Sequence, residues 1–313
     1  MSSFALKPGK SIRRELKRIA RKELGRASER LLHDHRDDDD VHESRKSVKK
    51  VEALARLLEQ IGFAPPRKNV KRLHATRRVL SRLRDADAII ETFDHLRSRF
   101  ADRIPEHTSA MIRSRLTRRK SKMTRRAQAG AGSLARAGKT LRKIRRSVKR
   151  WAAPPIDLSE LPRVLGRSFR ASRKAMRRAQ TRGQAQDFHD WRKRVKNLWY
   201  QLRLAERLVS GLSTQIEEYR ELETALGEEH NLVVLRTKLT RDRGLRRIKS
   251  QMDNLTAIST ALQQELQRTA VVLGMRLHKI SPKEFAKGLR RRLRPKGTAR
   301  RKPSPRSRGV AVA

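Results

Sequence analysis

Apolar residues at helical spacing occur in two segments of this chain that lie 147 positions apart. They are Val41, Val48, Val51, Ala55 and Leu58 in the first segment, and Phe188, Val195, Leu198, Leu202 and Ala205 in the second. Steps of three, four and seven residues place such side chains on one face of an α-helix. The sequence therefore predicts two helices with the same buried seam, and a chain built by internal duplication.

Helix-forming residues dominate the rest of the sequence, and alternating β-branched residues are nearly absent. We predict an all-α fold with four helices in each half, joined by short turns as two four-helix bundles. The predicted helices span residues 10–34, 40–62, 66–103 with an interruption near Asp85, and 105–150 with a weak point at the glycines of 130–132. In the second half they span 158–182, 187–210, 213–243 and 246–278, followed by a short helix from Pro282.

Proline and basic residues define the predicted domain boundaries. The pair Pro154 and Pro155 separates a first half, residues 1–153, from a second half, residues 154–293. The segment 294–313 is rich in Arg, Lys, Pro, Ser and Gly and has too few apolar residues to bury a core, so it is predicted to be a disordered basic tail.

The net charge requires an anionic partner. The 313 residues contain 80 Lys and Arg against 32 Asp and Glu, a formal charge of +48, and self-repulsion of this size destabilises a compact chain unless anions neutralise it. Nucleic acid, an acidic membrane surface and inorganic polyphosphate all meet this requirement. Cysteine is absent, which excludes disulfides and thiolate metal sites. Residues 1–32 contain no apolar run long enough for a signal peptide or a membrane span, so we predict a cytoplasmic protein without membrane contact.

A basic pattern around a histidine lies on both seam helices. It comprises His42, Arg45, Lys46, Lys49 and Lys50 in the first half, and His189, Arg192, Lys193 and Lys196 in the second. Their spacing predicts one direction for all these side chains, within an arc of about 140°. Asp40 and Asp187 are the predicted N-caps, which would put each histidine in a first turn, where the helix end favours phosphate oxygens. Arginine would grip phosphate with two donors, and lysine would supply point charges.

Two further features extend this pattern. Arg78 and Arg84 on the third helix, and Arg170 and Lys174 on the first helix of the second half, would join a common groove if those helices pack beside the motif helices. Residues 83–89 also resemble residues 229–235 at an offset of 146. Among these cations the imidazoles should resist protonation in the free protein and take up a proton when phosphate binds. The alternative is that both motif histidines are structural and hydrogen-bond a neighbouring helix.

Together, the doubled motif at 41–50 and 188–196 and the segments at 83–87 and 226–235 resemble the CHAD family, the conserved histidine α-helical domain, over about residues 6–290. The resemblance implies two helical bundles related by an approximate twofold axis, with a basic central groove or channel that binds inorganic polyphosphate. Family members often follow a triphosphate tunnel metalloenzyme domain, and this sequence resembles a stand-alone member. It departs from the family pattern at Asn231, where aspartate is favoured. Acidic residues also replace the cations of the first half at Glu217, Glu218, Glu221 and Glu223.

We therefore predict a non-enzymatic polyphosphate-binding protein, associated with polyphosphate granules, with neither a cofactor nor a metal site. The acidic run at 33–40 is interpreted as a solvated turn. Trp191, Trp199 and Tyr200 could stack on bases, but Trp191 keeps the seam spacing, which favours core packing. One alternative is a nucleoid- or RNA-associated protein that binds nucleic acid as a competing polyanion. A third is a polyphosphate hydrolase or kinase, for which residues 217–229 offer the only candidate metal-binding carboxylates. The sequence makes no prediction of oligomeric state.

Overall fold

The computed structural model describes residues 4–33, 37–129, 132–151 and 157–293, and within these ranges the fold is all-α, as predicted. The α-helices are α1 (Ile12–Leu32), α2 (Asp38–Gln60), α3 (Arg67–Arg99), α4 (Glu106–Ala129), α5 (Ser133–Ser147), α6 (Leu161–Arg182), α7 (Ala185–Ala205), α8 (Ser213–Thr240), α9 (Lys249–Leu277) and α10 (Pro282–Arg291). Short 3-10 turns at Ala101–Arg103, Val148–Arg150, Leu158–Glu160 and Arg243–Ile248 connect some of them.

Two of the predicted helices, 105–150 and 66–103, differ from their predicted form. The predicted helix 105–150 divides into α4 and α5, and Gly132 adopts a φ of 66° at the start of α5, a conformation that glycine accepts readily. The predicted interruption of α3 near Asp85 is wrong, because α3 is continuous from Arg67 to Arg99. The described part of each half thus contains five α-helices, with α10 as the short helix predicted from Pro282.

Helices in the two halves follow a similar order of neighbours. α1 packs against α2 and α5, and α6 packs against α7 and α10. α3 lies between α2 and α4, just as α8 lies between α7 and α9. The two halves meet where α2 contacts α7 and α3 contacts α8. An internal duplication would account for this order and stays a prediction.

Two hydrophobic cores hold these helices together, and both contain residues from the two halves. The first core contains the second predicted seam and all of the first except Ala55, which is buried outside it. It also contains the fully buried Trp191, which confirms the packing role predicted for this residue. The second core joins the C-terminal parts of α3 and α8 to α4 and α9, through residues such as Phe93, Ile112, Leu235 and Ile258. Burial of this apolar surface is the main stabilising contribution to the fold.

A polar waist separates the two cores, consisting of residues 84–87 of α3 and 229–231 of α8. On α3, Leu80 belongs to the first core and Ile89 to the second. On α8, Leu226 belongs to the first core and Leu232 to the second. The waist coincides with the two segments that resemble each other at an offset of 146 in the sequence. Their polarity therefore marks the level at which α3 and α8 line a cavity.

Two predicted segments lie wholly or partly outside the described residues. The predicted tail at 294–313 and residues 34–36 of the acidic run lie outside the described ranges. In the part of the chain that the structure describes, no helix is both long enough and apolar enough to cross a membrane.

Candidate functional site

A cavity of about 470 Å³ lies between α2, α3, α7 and α8, at the level of the polar waist. Its walls include cationic and imidazole side chains from both halves of the chain. Of the predicted site residues, those that line it are His42, Arg45, Lys49, Arg84, His189, Arg192, Lys193 and Lys196. The structure thus brings residues of both histidine motifs to one partly open cavity.

Five predicted site residues lie outside the cavity lining. Lys46 turns to Glu43 on its own helix, with Nζ 2.6 Å from the carboxylate. Lys50 points towards α1, where its Nζ lies 3.2 Å from Glu23. The five side chains of the first motif therefore do not share one direction. The remaining three are exposed and lie away from the cavity, namely Arg78, Arg170 and Lys174.

Helix α2 begins earlier than the motif suggested, and so does α7. Asp37 caps α2 by accepting a hydrogen bond of 2.7 Å from the Asp40 backbone, and α7 begins at Ala185. The predicted N-caps, Asp40 and Asp187, are wrong, because both residues lie inside the first turn. Asp187 pairs instead with Arg178 of α6 at 2.7 Å. Each histidine is the fifth residue of its helix, beyond the first turn where the helix dipole acts most strongly.

On the first-half wall, guanidinium groups surround His42. Arg84 Nε donates to His42 Nδ1 over 2.8 Å, while the other Arg84 nitrogens bind Glu91. Because Nδ1 accepts a hydrogen bond, the neutral imidazole carries its proton on Nε2. Burial, followed by the charges of Lys46 and Arg84, lowers the pKa of His42. Nearby, Arg45 Nε donates to Ser81 Oγ over 3.0 Å.

On the second-half wall, His189 faces another imidazole. The rings of His189 and His230 stack with centroids 4.1 Å apart and an interplanar angle of 29°. Burial, followed by the charges of Lys193 and Arg192, lowers the pKa of His189 to about 4. Burial and His189 lower the pKa of His230 to about 3. These directions agree with the expectation that the imidazoles resist protonation in the free protein.

Two lysines from the motif helices line the cavity in different surroundings, Lys196 beside the carboxylate of Glu223 and Lys49 without a carboxylate partner within the described ranges. Lys196 hydrogen-bonds Glu223, and Arg192 Nε lies 3.5 Å from the same carboxylate oxygen. Among the described residues, Lys49 has no carboxylate within 4.0 Å, and burial together with Lys196 lowers its pKa well below the usual range. Burial opposes ionisation of Glu223, but Lys196 and Arg192 outweigh it and lower the pKa of this carboxyl group.

The cavity as a whole carries excess positive charge. Eight Lys and Arg residues line it against three carboxylates, Glu52, Asp85 and Glu223, an excess of five. In a concave site partly shielded from solvent, such charge concentrates anions. Within the described residues, no group of three His, Asp or Glu side chains is arranged to hold a metal ion.

Sequence reasoning did not include several lining residues in the site. Arg56 lies seven positions after Lys49, so extension of the motif stripe along α2 would have found it. His230 and Asn231 belong to the segment already noted for its resemblance to residues 83–89. Arg77 lies seven positions before Arg84 on α3, so extension of the basic pattern along that helix would have found it, and Glu223 was noted only as an acidic departure.

Comparisons with known proteins agree with this architecture. The sequence profile of the CHAD domain matches residues 18–240. A crystal structure of the CHAD domain from the plant Ricinus communis superposes with a TM-score of 0.59 and 16% sequence identity, over 92% of this chain and 94% of that one. At this identity the likeness shows the fold alone. The comparison with curated proteins found no match.

Proposed function

The chain belongs to the CHAD family, and we propose that it binds inorganic polyphosphate in the cavity between α2, α3, α7 and α8. The family is associated in general with polyphosphate. The observation that carries the proposal is the convergence of two histidine motifs, 147 residues apart, on one cavity with an excess of five positive charges.

Binding proceeds through several charge-assisted hydrogen bonds made together. Arg45 and Arg192 offer planar donors for phosphate oxygens, and Lys49 offers an ammonium group without a paired carboxylate. Polyphosphate also releases its condensed counterions when cations replace them, so its affinity falls with salt. The log-log slope is about −0.7 per phosphate contacted, if single-stranded nucleic acid is a fair guide.

The proposed role is to hold the polymer without chemical turnover, in a cytoplasmic protein that polyphosphate recruits to its granules. Of the carboxylates considered for a catalytic alternative, Glu223 lines the cavity and is engaged by Lys196 and Arg192. Glu229 is buried and accepts hydrogen bonds from Gln263 and Gln267. We expect no release of phosphate from polyphosphate in an assay with magnesium or manganese, and turnover would favour the catalytic alternative.

The test compares two variants that each lose four positive charges. The cavity variant carries Arg45→Gln, Lys49→Gln, Arg192→Gln and Lys196→Gln, and the control carries Arg78→Gln, Arg170→Gln, Lys174→Gln and Arg194→Gln at exposed positions outside the cavity. Titration calorimetry with a medium-length polyphosphate should show a loss of about 100-fold or more for the cavity variant and only a few-fold for the control.

Equal losses in the two variants would mean that only overall charge matters, and would contradict a cavity site. Competition addresses the nucleic-acid alternative. Polyphosphate should displace RNA or DNA from the protein at matched phosphate concentration, whereas the opposite order would favour a nucleic-acid-binding protein.

A further inference from the structure

Glu223 reverses the charge that the first half places at the corresponding position. It stands 146 residues after Arg77, the same offset that relates the two waist segments and the first residues of α3 and α8. Both side chains line the cavity. One wall therefore presents a guanidinium group where the other presents a carboxylate.

The contacts of Glu223 differ from those of the other glutamate in the cavity. Its side chain is 13% exposed and binds two motif cations, Lys196 and Arg192. Glu52, on the first-half wall, instead pairs with Arg77 at 3.0 Å and leaves Arg45 and Lys49 to other contacts. Of Glu52 and Glu223, only Glu223 therefore binds cations of the repeated histidine motif.

This arrangement has a direct consequence for an incoming phosphate. To use Lys196 and Arg192, a phosphate must either separate them from Glu223 or lie beside its negative charge. Two like charges 4 Å apart repel each other strongly in a partly desolvated site, and much more than in water. Lys49 feels the charge of Glu223 but has no carboxylate within 4.0 Å, and the only carboxylate contact of Arg45 among the described residues is the 3.8 Å approach of the half-exposed Asp85. A phosphate at Arg45 and Lys49 therefore displaces no buried carboxylate.

We propose that Glu223 is an internal counter-anion that competes with polyphosphate for Lys196 and Arg192, and that it directs the tightest phosphate contacts to Arg45 and Lys49. This inference rests on the proposed function. In the free protein Glu223 limits repulsion among the central cations, and in the complex it weakens binding. It thereby sets the affinity of the cavity for the polymer.

The first experiment uses Glu223→Gln, which removes the charge, keeps the shape of the side chain and retains one acceptor oxygen for Lys196. Polyphosphate affinity, measured by titration calorimetry at low salt, should rise about tenfold, and the salt dependence should steepen by about 0.7 in log-log slope for one additional phosphate contact. The control is Glu217→Gln, at an exposed position on the same helix where Glu217 pairs with Arg220. It changes net charge equally and should stay within about twofold of the original affinity.

A second variant places a carboxylate on the opposite wall and keeps the inference testable if Glu223→Gln folds poorly. Arg77→Glu should weaken polyphosphate binding about tenfold, more than Arg82→Glu, an equal charge change at an exposed position of the same helix. Unchanged or weaker binding by a folded Glu223→Gln variant would overturn the inference and assign Glu223 a purely structural role. Equal effects of Arg77→Glu and Arg82→Glu would also overturn it. If the unmodified protein binds no polyphosphate, the proposed function itself fails.

Discussion

The helices that form the two walls of the cavity have the same order of neighbours, but their side chains differ in chemistry. In the first half His42 accepts a hydrogen bond from Arg84, whereas in the second half His189 stacks on His230, which stands 146 residues after Arg84. Arg77 and Glu223 are also 146 residues apart, and they place opposite charges on the two walls. Helix packing thus determines where the cavity lies, while a few side-chain differences between α3 and α8 determine its charge.

The same comparison extends to the packing of the motif arginines. Arg45 donates to Ser81, whereas Arg192 lies against Gly227, at the corresponding position of α8. A Cβ atom on Gly227 would approach Arg192 Nη2 to 3.0 Å, so the absence of a side chain there leaves room for the guanidinium group. Five cations against two carboxylates line the first wall, and three cations against one carboxylate line the second. Only on the second wall does a carboxylate bind two motif cations, Lys196 and Arg192.

The largest expected effect is a difference in the free energy of unfolding between variants of Lys196 and Lys49. Lys196→Met should lower the free energy of unfolding by about 2 kcal/mol, because Glu223 loses its closest partner in a partly buried setting. Lys49→Met should raise it by about 1 kcal/mol, because a repelled and desolvated charge is removed. Urea denaturation of both variants measures the contrast, and changes of the same sign would contradict a difference between the walls.

A smaller effect concerns the histidine pair and pH. The pKa of His189 is lowered to about 4 and that of His230 to about 3, below the value of 6.5 for a free imidazole. Between about pH 6.5 and pH 4 the unfolded chain therefore binds more protons than the folded chain, and the free energy of unfolding falls as pH falls. Above about pH 6.5 the two histidines no longer change the free energy of unfolding with pH.

The test of this prediction is His230→Gln, which should recover about 1 to 2 kcal/mol of the stability lost between pH 6.5 and pH 4, after allowance for solvent screening. Denaturation curves at several pH values measure it. His95→Gln, at an exposed position, is the matched control and should leave the pH dependence unchanged. The same pH dependence in both variants would remove the histidine pair as its source.

The smallest effect concerns the residues beside the motif arginines. Ser81→Ala removes the hydrogen bond to Arg45 and should lower the free energy of unfolding by about 1 kcal/mol. Gly227→Ser should change it by only about 0.5 kcal/mol, because the gain in helix propensity is offset by a small displacement of Arg192. Thermal denaturation compares the two, and a larger loss for Gly227→Ser would show that the second wall is the more tightly packed.

The sequence predicted the helical framework more accurately than the details of the site. Periodic residues such as Val48 and Val195 located the buried seams, because burial on one helix face leaves a direct record in residue spacing. The polar segment around Asp85 was misinterpreted as an interruption, although Arg84 binds Glu91 and Asp87 pairs with Lys120 on an unbroken helix. A polar stretch that faces a cavity and one that forms a loop have similar compositions.

Other errors arose where the outcome depends on neighbouring helices. The run 37–40 contains four consecutive aspartates, so spacing alone did not distinguish Asp37 from Asp40 as the cap of α2. Lys50 was assigned to the site because its helical position is close to that of Lys46, but α1 supplies Glu23 on that side. Arg170 and Lys174 were included on the condition that α6 borders the groove, whereas its basic face is exposed.

The mixed composition of both cores has a consequence for how the protein is made on the ribosome. The first core includes Leu289, and the second includes Leu262. A nascent chain that has just completed α5 lacks half of each core and the entire wall formed by α7 and α8. We expect the cavity to form only after α7 and α8 have been synthesised, so a nascent chain that ends at α5 has no cavity in which to hold the proposed polymer.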